Sequence, residues 1–487
     1  MDMTEFKEHM GAEEIPETPE VPDIAVGLKI KLVGYLLLTA LGVTHLILVP
    51  YAGISALVFV VLQGACLFVI APRKRPLLML LPITILALNA FLSANDIWRV
   101  PNLVVALVLY NGMAVWLMGN LGLGQTLPRF LQNIGTQTML ALRELPTPFR
   151  WGAETQKAHT PIIKRVCIGV AISIPFLLFL LFMLSMADEI FARTLENTVD
   201  WIAQLVELDM LIRIGIGLLV GLYLFGSLYG VFIHQPKEAA EPKVRRGDLM
   251  ILNIVLISVL VVYTLFVAIQ FRYLFAQPDS LPYGLNFAHY ARRGFFELLF
   301  LTGVNILFIL ITVWLTKAQK GAWAKFTKAL CLYLCAVTMV LLVSSFYRMW
   351  LYSWDDGLTR LRFLVFGFLF FEAIGLLATF VYIIRPKFNI IAAYCVIGLA
   401  YYLVLNLVPM DRVIAKEQID RYFETGRGGI HYVTTLSPDA APEVARLLTS
   451  ENDETRLLAA SYLERVENMA NTRTDWRQWN RALERVR

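Results

Sequence analysis

Charged residues are scarce in this sequence, and their scarcity excludes an ordinary soluble domain. Asp, Glu, Lys and Arg together make up 17% of the 487 residues, whereas hydrophobic residues make up 57%. Soluble globular domains average about 25% charged and 45–50% apolar residues. Because so apolar a chain would expose large hydrophobic surfaces to water, we predict that this protein lies in a lipid bilayer.

Cysteine is also rare, and the short motifs of common enzymes are missing. The five cysteines lie inside apolar runs, where a thiol behaves as a small hydrophobic side chain. We therefore expect neither disulfides nor structural zinc. The sequence contains no HExxH, GxSxG or Walker motif, and no GxGxxG between a strand and a helix. We predict no catalytic residue, no metal and no cofactor, while enzymatic activity is left open.

Apolar runs of bilayer-crossing length dominate what is present. A helix needs about 20 apolar residues to cross the hydrocarbon core. Runs of this kind occupy residues 32–49, 52–72, 76–94, 101–121, 165–187, 211–234, 249–271, 294–316, 328–351, 361–384 and 389–408. We predict an all-α, polytopic helical membrane bundle with about 11 transmembrane helices and a small C-terminal helical extracytoplasmic domain. Only Pro50 and Tyr51 separate the first two runs, so whether these form separate helices is open.

The loops between these runs alternate in charge. Clusters of Lys and Arg occupy every second loop, at 73–75, 129–165, 237–246, 317–328 and 385–387. The intervening loops contain fewer basic residues and more acidic ones. Because cytoplasmic loops carry the excess of Lys and Arg, we predict a cytoplasmic N-terminus and an extracytoplasmic C-terminus.

Composition and topology divide the chain into five segments. Residues 1–26 are rich in Asp, Glu and Pro and are predicted to be a disordered acidic cytoplasmic tail. Residues 27–121 are predicted to be an N-terminal four-helix membrane part, 122–164 a cytoplasmic loop with interfacial helices, and 165–408 the main membrane bundle of seven helices. Beyond them the apolar character falls, and interrupted helical spacing predicts an extracytoplasmic helical domain over 409–487.

Six stretches carry a resemblance to a known family. They are SMADEIF at 185–191, HYARRGFFEL at 289–298, GLTRLR at 357–362, MDRVIAKEQIDRY at 410–422, HYVTTLSPDAAPEV at 431–444 and DWRQWN at 475–480. In these stretches the chain resembles the bacterial integral-membrane family of domain of unknown function 4173, a relative of domain of unknown function 4153. The resemblance implies a multi-pass protein of the bacterial cytoplasmic (inner) membrane, and it brings no established activity.

Polar residues gather at the predicted outer ends of the helices. We call this set the outer belt: Asp188, Tyr290, Arg292, Arg293, Glu297, Arg348, Asp355, Asp356, Arg362 and Arg412. Arg360 and Asp411 lie at the same level. The surplus of arginines suits an anionic headgroup or phosphate held bidentately. Alternatively, the arginines pair with the belt carboxylates and clamp the external domain to the bundle.

Glu372 stands apart from the outer belt. It lies ten residues after Arg362, which at 1.5 Å per residue places it about 15 Å deeper, near the bilayer midplane. A carboxyl group at that depth is a candidate functional site. The alternative is a protonated Glu that bonds to a neighbouring helix, with Asn305, Asn111 or Ser344 as its partner.

Three functions fit this sequence. The favoured one is a non-catalytic envelope sensor or scaffold whose external domain is clamped to the bundle. A transporter or lipid- and anion-handling protein would use Glu372 and the outer belt, and an envelope transferase would act on a lipid-linked substrate. Membrane lipids are expected partners, and an envelope protein or an anionic or lipid-linked ligand are candidates at the outer face. No nucleic-acid binding is expected, because the basic residues follow the topology of the loops.

Overall fold

The architecture is helical throughout the part of the chain that the structure describes. The computed structural model describes residues 24–119, 127–155, 160–196, 208–233, 247–274, 295–316, 319–385 and 387–485. Within these ranges the regular elements are helices and no strand occurs, which confirms the all-α prediction. The predicted acidic tail lies outside the described residues, except for its last three positions.

The helices are numbered in chain order. The first group comprises α1 (Val26–Gly42, continued by a π-helical turn, Val43–Ile47), α2 (Ile54–Ile70), α3 (Leu80–Leu92), α4 (Arg99–Leu117), α5 (Leu127–Arg143), α6 (Thr147–Thr155), α7 (Thr160–Ala187), α8 (189–196) and α9 (Leu208–Ile233). The second group comprises α10 (Leu249–Leu274), α11 (Phe295–Thr316), α12 (Ala322–Asp356), α13 (Arg360–Ile384) and α14 (Ile390–Leu407). The C-terminal group comprises α15 (Met410–Thr425), α16 (Ile430–Val433), α17 (Ala441–Val444), α18 (Asp453–Asn471) and α19 (Arg481–Glu484).

The chain is a multi-pass membrane protein. By length and composition, nine helices in the described ranges can cross a bilayer, and they correspond to nine of the predicted runs. Two shorter apolar helices, Ile54–Ile70 and Pro175–Ala187, occupy the second and fifth runs. The first two runs are separate helices, because the chain turns between them at Tyr51, whose φ is 56°. The full count of eleven crossings stays a prediction.

The helix ends follow local capping chemistry. The Thr359 hydroxyl accepts a hydrogen bond from the Arg362 N–H at the start of α13, and the Asn389 side chain accepts one from the Ala392 N–H at the start of α14. Such caps satisfy N–H groups that have no partner within the helix. Helix α12 ends at Gly357, whose φ of 77° is disfavoured for residues with a side chain.

Helix α9 packs closely on the N-terminal helices. It contacts α1, α4 and α5, and a Cβ at Gly217 would lie 2.2 Å from Thr44 Oγ1 of the first helix. Only glycine permits that approach. Gln137 of α5 is fully buried and donates to the Ser227 carbonyl of α9 over 2.7 Å. Helix α5 is therefore anchored to the bundle, although it belongs to the segment predicted as an interfacial loop. The predicted division of the chain at residue 165 stays a prediction.

A second helical group runs from α10 to α14. Helix α12 contacts α10, α11 and α13, and α13 contacts α14. The two groups meet where α14 passes α3 and α4. Asn89 donates to the Asn406 carbonyl over 2.6 Å, and Asn102 donates to the Asn406 side chain over 2.7 Å. Hydrogen bonds of this kind satisfy amides that would be costly to leave unpaired among apolar helices.

The C-terminal domain has its own core and lies against the bundle. Its helices enclose Ile414, Ile419, Val433, Val444 and Tyr462, each at most 1% exposed. The domain contacts the connections that follow α1, α3 and α12, so all three lie at one end of the bundle. The predicted alternation of loops requires them on the same side. Which side faces the cytoplasm stays a prediction.

Candidate functional site

A buried ion pair joins the C-terminal domain to the bundle. Asp411 lies in the first turn of α15, directly after the last membrane helix, and its side chain is fully buried. Arg360, in the first turn of α13, donates from Nε to Asp411 Oδ1 over 2.8 Å and from Nη2 to Oδ2 over 2.5 Å. This bidentate geometry makes an arginine–carboxylate contact stronger than a single hydrogen bond does.

Two further donors complete the surroundings of Asp411. Its Oδ2 also accepts from Asn95 Nδ2 over 3.2 Å and from the Ser437 N–H over 2.9 Å. Burial raises the pKa of the Asp411 carboxyl, but the bonds from Arg360 and Ser437 outweigh it and hold the pKa below its ordinary value. The carboxylate is therefore ionised at neutral pH and joins residues of three separate segments.

A second buried carboxylate lies beside the first. Asp439 accepts hydrogen bonds from the Ser93 hydroxyl and from the Ala94 N–H, the latter over 2.8 Å. Burial raises the pKa of Asp439 above its ordinary value, since the bonds from Ser93 and Ala94 offset that effect only in part. We refer to Ser93, Asn95, Arg360, Asp411 and Asp439 together as the junction cluster.

The chain near residue 478 reaches the start of α2. The Gly53 N–H donates to the Arg477 carbonyl over 2.9 Å, and the Ile54 N–H donates to the Trp479 carbonyl over 3.0 Å. A Cβ at Gly53 would lie 2.1 Å from the Trp479 carbonyl oxygen, so this approach requires glycine. Asn480 donates to the carbonyls of Ala90 and Ser93 over 2.9 and 2.7 Å. The domain thus satisfies backbone groups of the N-terminal helices.

The connection between α12 and α13 is held by α15. Glu417 accepts from the Leu358 N–H over 2.9 Å, and Gln418 donates to the Leu358 carbonyl over 2.9 Å. The Arg360 N–H donates to the Tyr432 hydroxyl over 2.8 Å. These bonds fix the backbone that carries Arg360 and so help to position its guanidinium against Asp411.

The arginines of the outer belt have different environments. Arg362 is buried, donates to the Gly357 carbonyl and lies over the Tyr352 ring at 3.8 Å. Arg348 is buried within α12. Arg412 bonds to Glu443 over 3.2 Å inside the C-terminal domain.

The remaining belt residues fall into two groups. Asp188 and Glu297 are described and exposed, and Asp188 Oδ1 accepts from the N–H groups of Ile190 and Phe191, so it caps α8. The other predicted belt residues or side chains lie outside the described part: Tyr290, Arg292, Arg293 and the side chains of Asp355 and Asp356.

Glu372 bonds to a residue that the sequence did not single out. Its Oε1 lies 2.6 Å from Thr302 Oγ1 of α11, and the same hydroxyl lies 2.7 Å from the Leu299 carbonyl. The Thr302 hydroxyl has one hydrogen, which it can donate to either oxygen. Glu372 Oε2 is buried without a hydrogen-bond partner among the described residues. That Glu372 is protonated stays a prediction.

Two of the three expected partners of Glu372 bond to other residues. Asn111 donates to Thr138 and Tyr223 among the N-terminal helices, and Asn305 bonds to Tyr263 and Thr338. The error arose because depth along a helix does not reveal which helix face a side chain occupies.

The junction cluster was only partly visible in the sequence. Arg360 and Asp411 were placed at the correct end of their helices, but Ser93, Asn95 and Asp439 were missed. More than 300 residues separate Asn95 from Asp411, and no local pattern links them. The one available signal for Ser93 and Asn95 was that they lie in a short polar segment at the end of an apolar run.

Comparisons with known proteins identify a family without an activity. No curated protein and no solved structure matches this chain. A family model described as domain of unknown function (DUF4153) matches residues 80–447, about three quarters of the chain and all five residues of the junction cluster. The relation to family 4173 stays a prediction. By this match, this multi-pass membrane protein belongs to the family defined by the domain of unknown function DUF4153.

Proposed function

We propose that this protein is a non-catalytic scaffold or sensor of the bacterial cytoplasmic membrane, with its C-terminal domain fixed to the bundle on the extracytoplasmic side. The observation that carries the proposal is the surroundings of Asp411. One buried carboxylate receives donors from the bundle at Asn95 and Arg360 and from the domain at Ser437. This arrangement suits a structural link between the membrane bundle and the C-terminal domain.

The chemistry of Arg360 favours a link over an anion-binding site. Its Nε and Nη2 both donate hydrogen bonds to the Asp411 carboxylate. An incoming phosphate would have to displace a fully buried carboxylate, and an unpaired buried charge costs about 3–5 kcal/mol. Arg412 is likewise engaged by Glu443. These arginines therefore serve the protein's own carboxylates.

The same link provides a route for signals. Asn95 follows α3 and Arg360 begins α13, so a displacement of the domain acts on two helices of different groups. Packed helices and buried hydrogen bonds transmit such displacements because they deform little. A partner that binds the external domain would thereby act on the membrane part.

A comparison of two variants tests this function in cells. Arg360→Gln removes both guanidinium bonds of the link, whereas Glu372→Gln keeps the shape of a protonated carboxyl and leaves the link intact. For a scaffold we expect Arg360→Gln to reproduce the envelope defect of a gene deletion and Glu372→Gln to behave as the wild type. The opposite result would favour a transporter that uses Glu372 for proton coupling. Immunoblots of both variants control for protein level.

The predicted orientation has its own test. An alkaline phosphatase placed after Arg487 is active only outside the cytoplasm, so we expect an active fusion. A matched fusion in the basic loop near residue 240 should be inactive. Activity only in the second fusion would place the domain in the cytoplasm and would contradict the proposal of an extracytoplasmic scaffold.

A further inference from the structure

A partly open cavity of about 290 Å³ lies among α1–α4 and α9, apart from Glu372 and the ion pair of Asp411. Its inner part is apolar and includes Phe59, Ile83 and Leu224. It extends along α4 from Arg99 to Tyr110, which is about 16 Å at 1.5 Å per residue. The hydrocarbon core is about 30 Å thick. The cavity therefore runs from one face of the bundle to about the middle of the membrane.

The mouth of the cavity is positively charged. Three charged residues line it, namely Asp96, Arg99 and Arg473, which leaves one net positive charge. Arg99 Nη2 donates to the Val49 carbonyl over 2.6 Å, and the Arg473 guanidinium lies 4.0 Å above the Tyr51 ring. These contacts hold two guanidinium groups at one end of an apolar cavity.

Arg473 belongs to the C-terminal domain, whereas Arg99 belongs to the bundle. Burial lowers the pKa of the Arg473 guanidinium, and Asp96 offsets part of this effect while Arg99 adds to it. A second anion at the mouth would stabilise both arginines. Guanidinium groups bind phosphate bidentately, so a phosphate is the anion best suited to them.

We propose that this cavity holds one hydrocarbon chain of an anionic amphiphile, whose phosphate lies against Arg99 and Arg473. The volume is at the low end of ligand pockets, which span about 300–1,000 Å³, and it suits a single chain. Membrane phospholipids and polyprenyl phosphates share this chemistry. The proposal does not rest on the scaffold function. Ser93 and Asn95 of the junction cluster also line the cavity, but Arg99 and Arg473, the two residues proposed to hold the phosphate, lie outside that cluster.

Native mass spectrometry of the full-length protein in detergent tests the charge requirement. The probes are phosphatidylglycerol, a polyprenyl phosphate and diacylglycerol, which has hydrocarbon chains but no phosphate. We expect the two phosphate-bearing probes to bind and diacylglycerol to bind at least about tenfold more weakly, since a bond to a charged group is worth about one decade of affinity. The stronger of the two anionic probes identifies the source. Equal binding of all three probes would overturn the proposal.

Matched variants locate the binding. Arg473→Gln should weaken anionic binding about tenfold, whereas Arg481→Gln, an exposed arginine of the same domain, should not. Ala106→Phe fills the cavity and should abolish binding, while Val104→Phe, on the lipid-facing side of the same helix, should leave it unchanged. If Arg473→Gln does not fold, the second pair decides. Unchanged binding in Ala106→Phe would place the amphiphile elsewhere and overturn the proposal.

Discussion

Replacement of Arg360 by Gln should measure the strength of the junction cluster. The change removes both bonds of the guanidinium to Asp411 and leaves a carboxylate with no exposed side-chain area. Removal of one partner of a buried ion pair costs about 3–5 kcal/mol. Arg360 itself is 28% exposed, and Asn95 and Ser437 still donate to the carboxylate. We therefore expect a loss near the lower limit, about 3 kcal/mol.

Arg412→Gln is the matched control. It also removes an arginine from a carboxylate, but the Arg412 side chain is 43% exposed and its partner Glu443 is 11% exposed. Exposed pairs contribute about 0–1 kcal/mol. Chemical unfolding of both purified variants in the same detergent, followed by tryptophan fluorescence, gives the two losses. Protease digestion should cut the Arg360 variant near residue 409 and spare the control.

The size of the difference decides whether the reasoning is correct. Equal losses in the two variants would show that burial of Asp411 does not determine the strength of its pair. A double variant, Arg360→Met with Asp411→Leu, provides a further check, because it removes both charges. Such replacements are often neutral or stabilising. If the double variant is no more stable than Arg360→Gln, the unpaired carboxylate is not the cause of the loss.

Three other changes follow from the structure. The folded pKa of Asp439 is raised, so its ionisation opposes folding and stability falls as pH rises from about 4 through the folded pKa. Asp439→Asn should remove this fall in stability, measured as thermal midpoints from pH 4 to 8. An unchanged pH profile would refute the prediction. Glu372→Gln should match the wild type in thermal stability, whereas Glu372→Ala should lose about 1–3 kcal/mol; equal stability of the two would show that the carboxyl has no structural partner. Gly53→Ala should make the chain near Trp479 sensitive to protease, because the new Cβ would clash with its carbonyl. Gly64→Ala, within helix α2 and with nothing closer than 3.5 Å to its Cβ, should not.

The membrane helices could be predicted because their signal is local. An apolar run long enough to span a bilayer needs no distant partner to become a helix, since its backbone bonds are made within the segment. The break at Tyr51 was harder to assign, because only two residues marked it. The structure resolves it through a positive φ at Tyr51 and through contacts with a segment more than 400 residues away.

The junction cluster shows what the sequence could not supply. A charge count at the membrane face identified Arg360 and Asp411, but it could not rank them above Arg362 and Arg412. Asp411 and Arg412 differ in burial, because Asp411 is fully enclosed whereas Arg412 faces solvent on one side. Burial depends on the packing of the domain against the bundle, and no periodic pattern in the sequence encodes that packing.

The contact between Gly53 and the chain near Trp479 bears on biosynthesis. A ribosome makes the amide groups at the start of α2 early, but their acceptors, the carbonyls of Arg477 and Trp479, come more than 420 residues later. Domains made by a ribosome generally fold from the N-terminus onward. Here the N–H groups of Gly53 and Ile54 lack these acceptors until residues 477–479 have been made. A chain that stops before residue 477 therefore leaves both groups without these partners, at a site remote from the truncation.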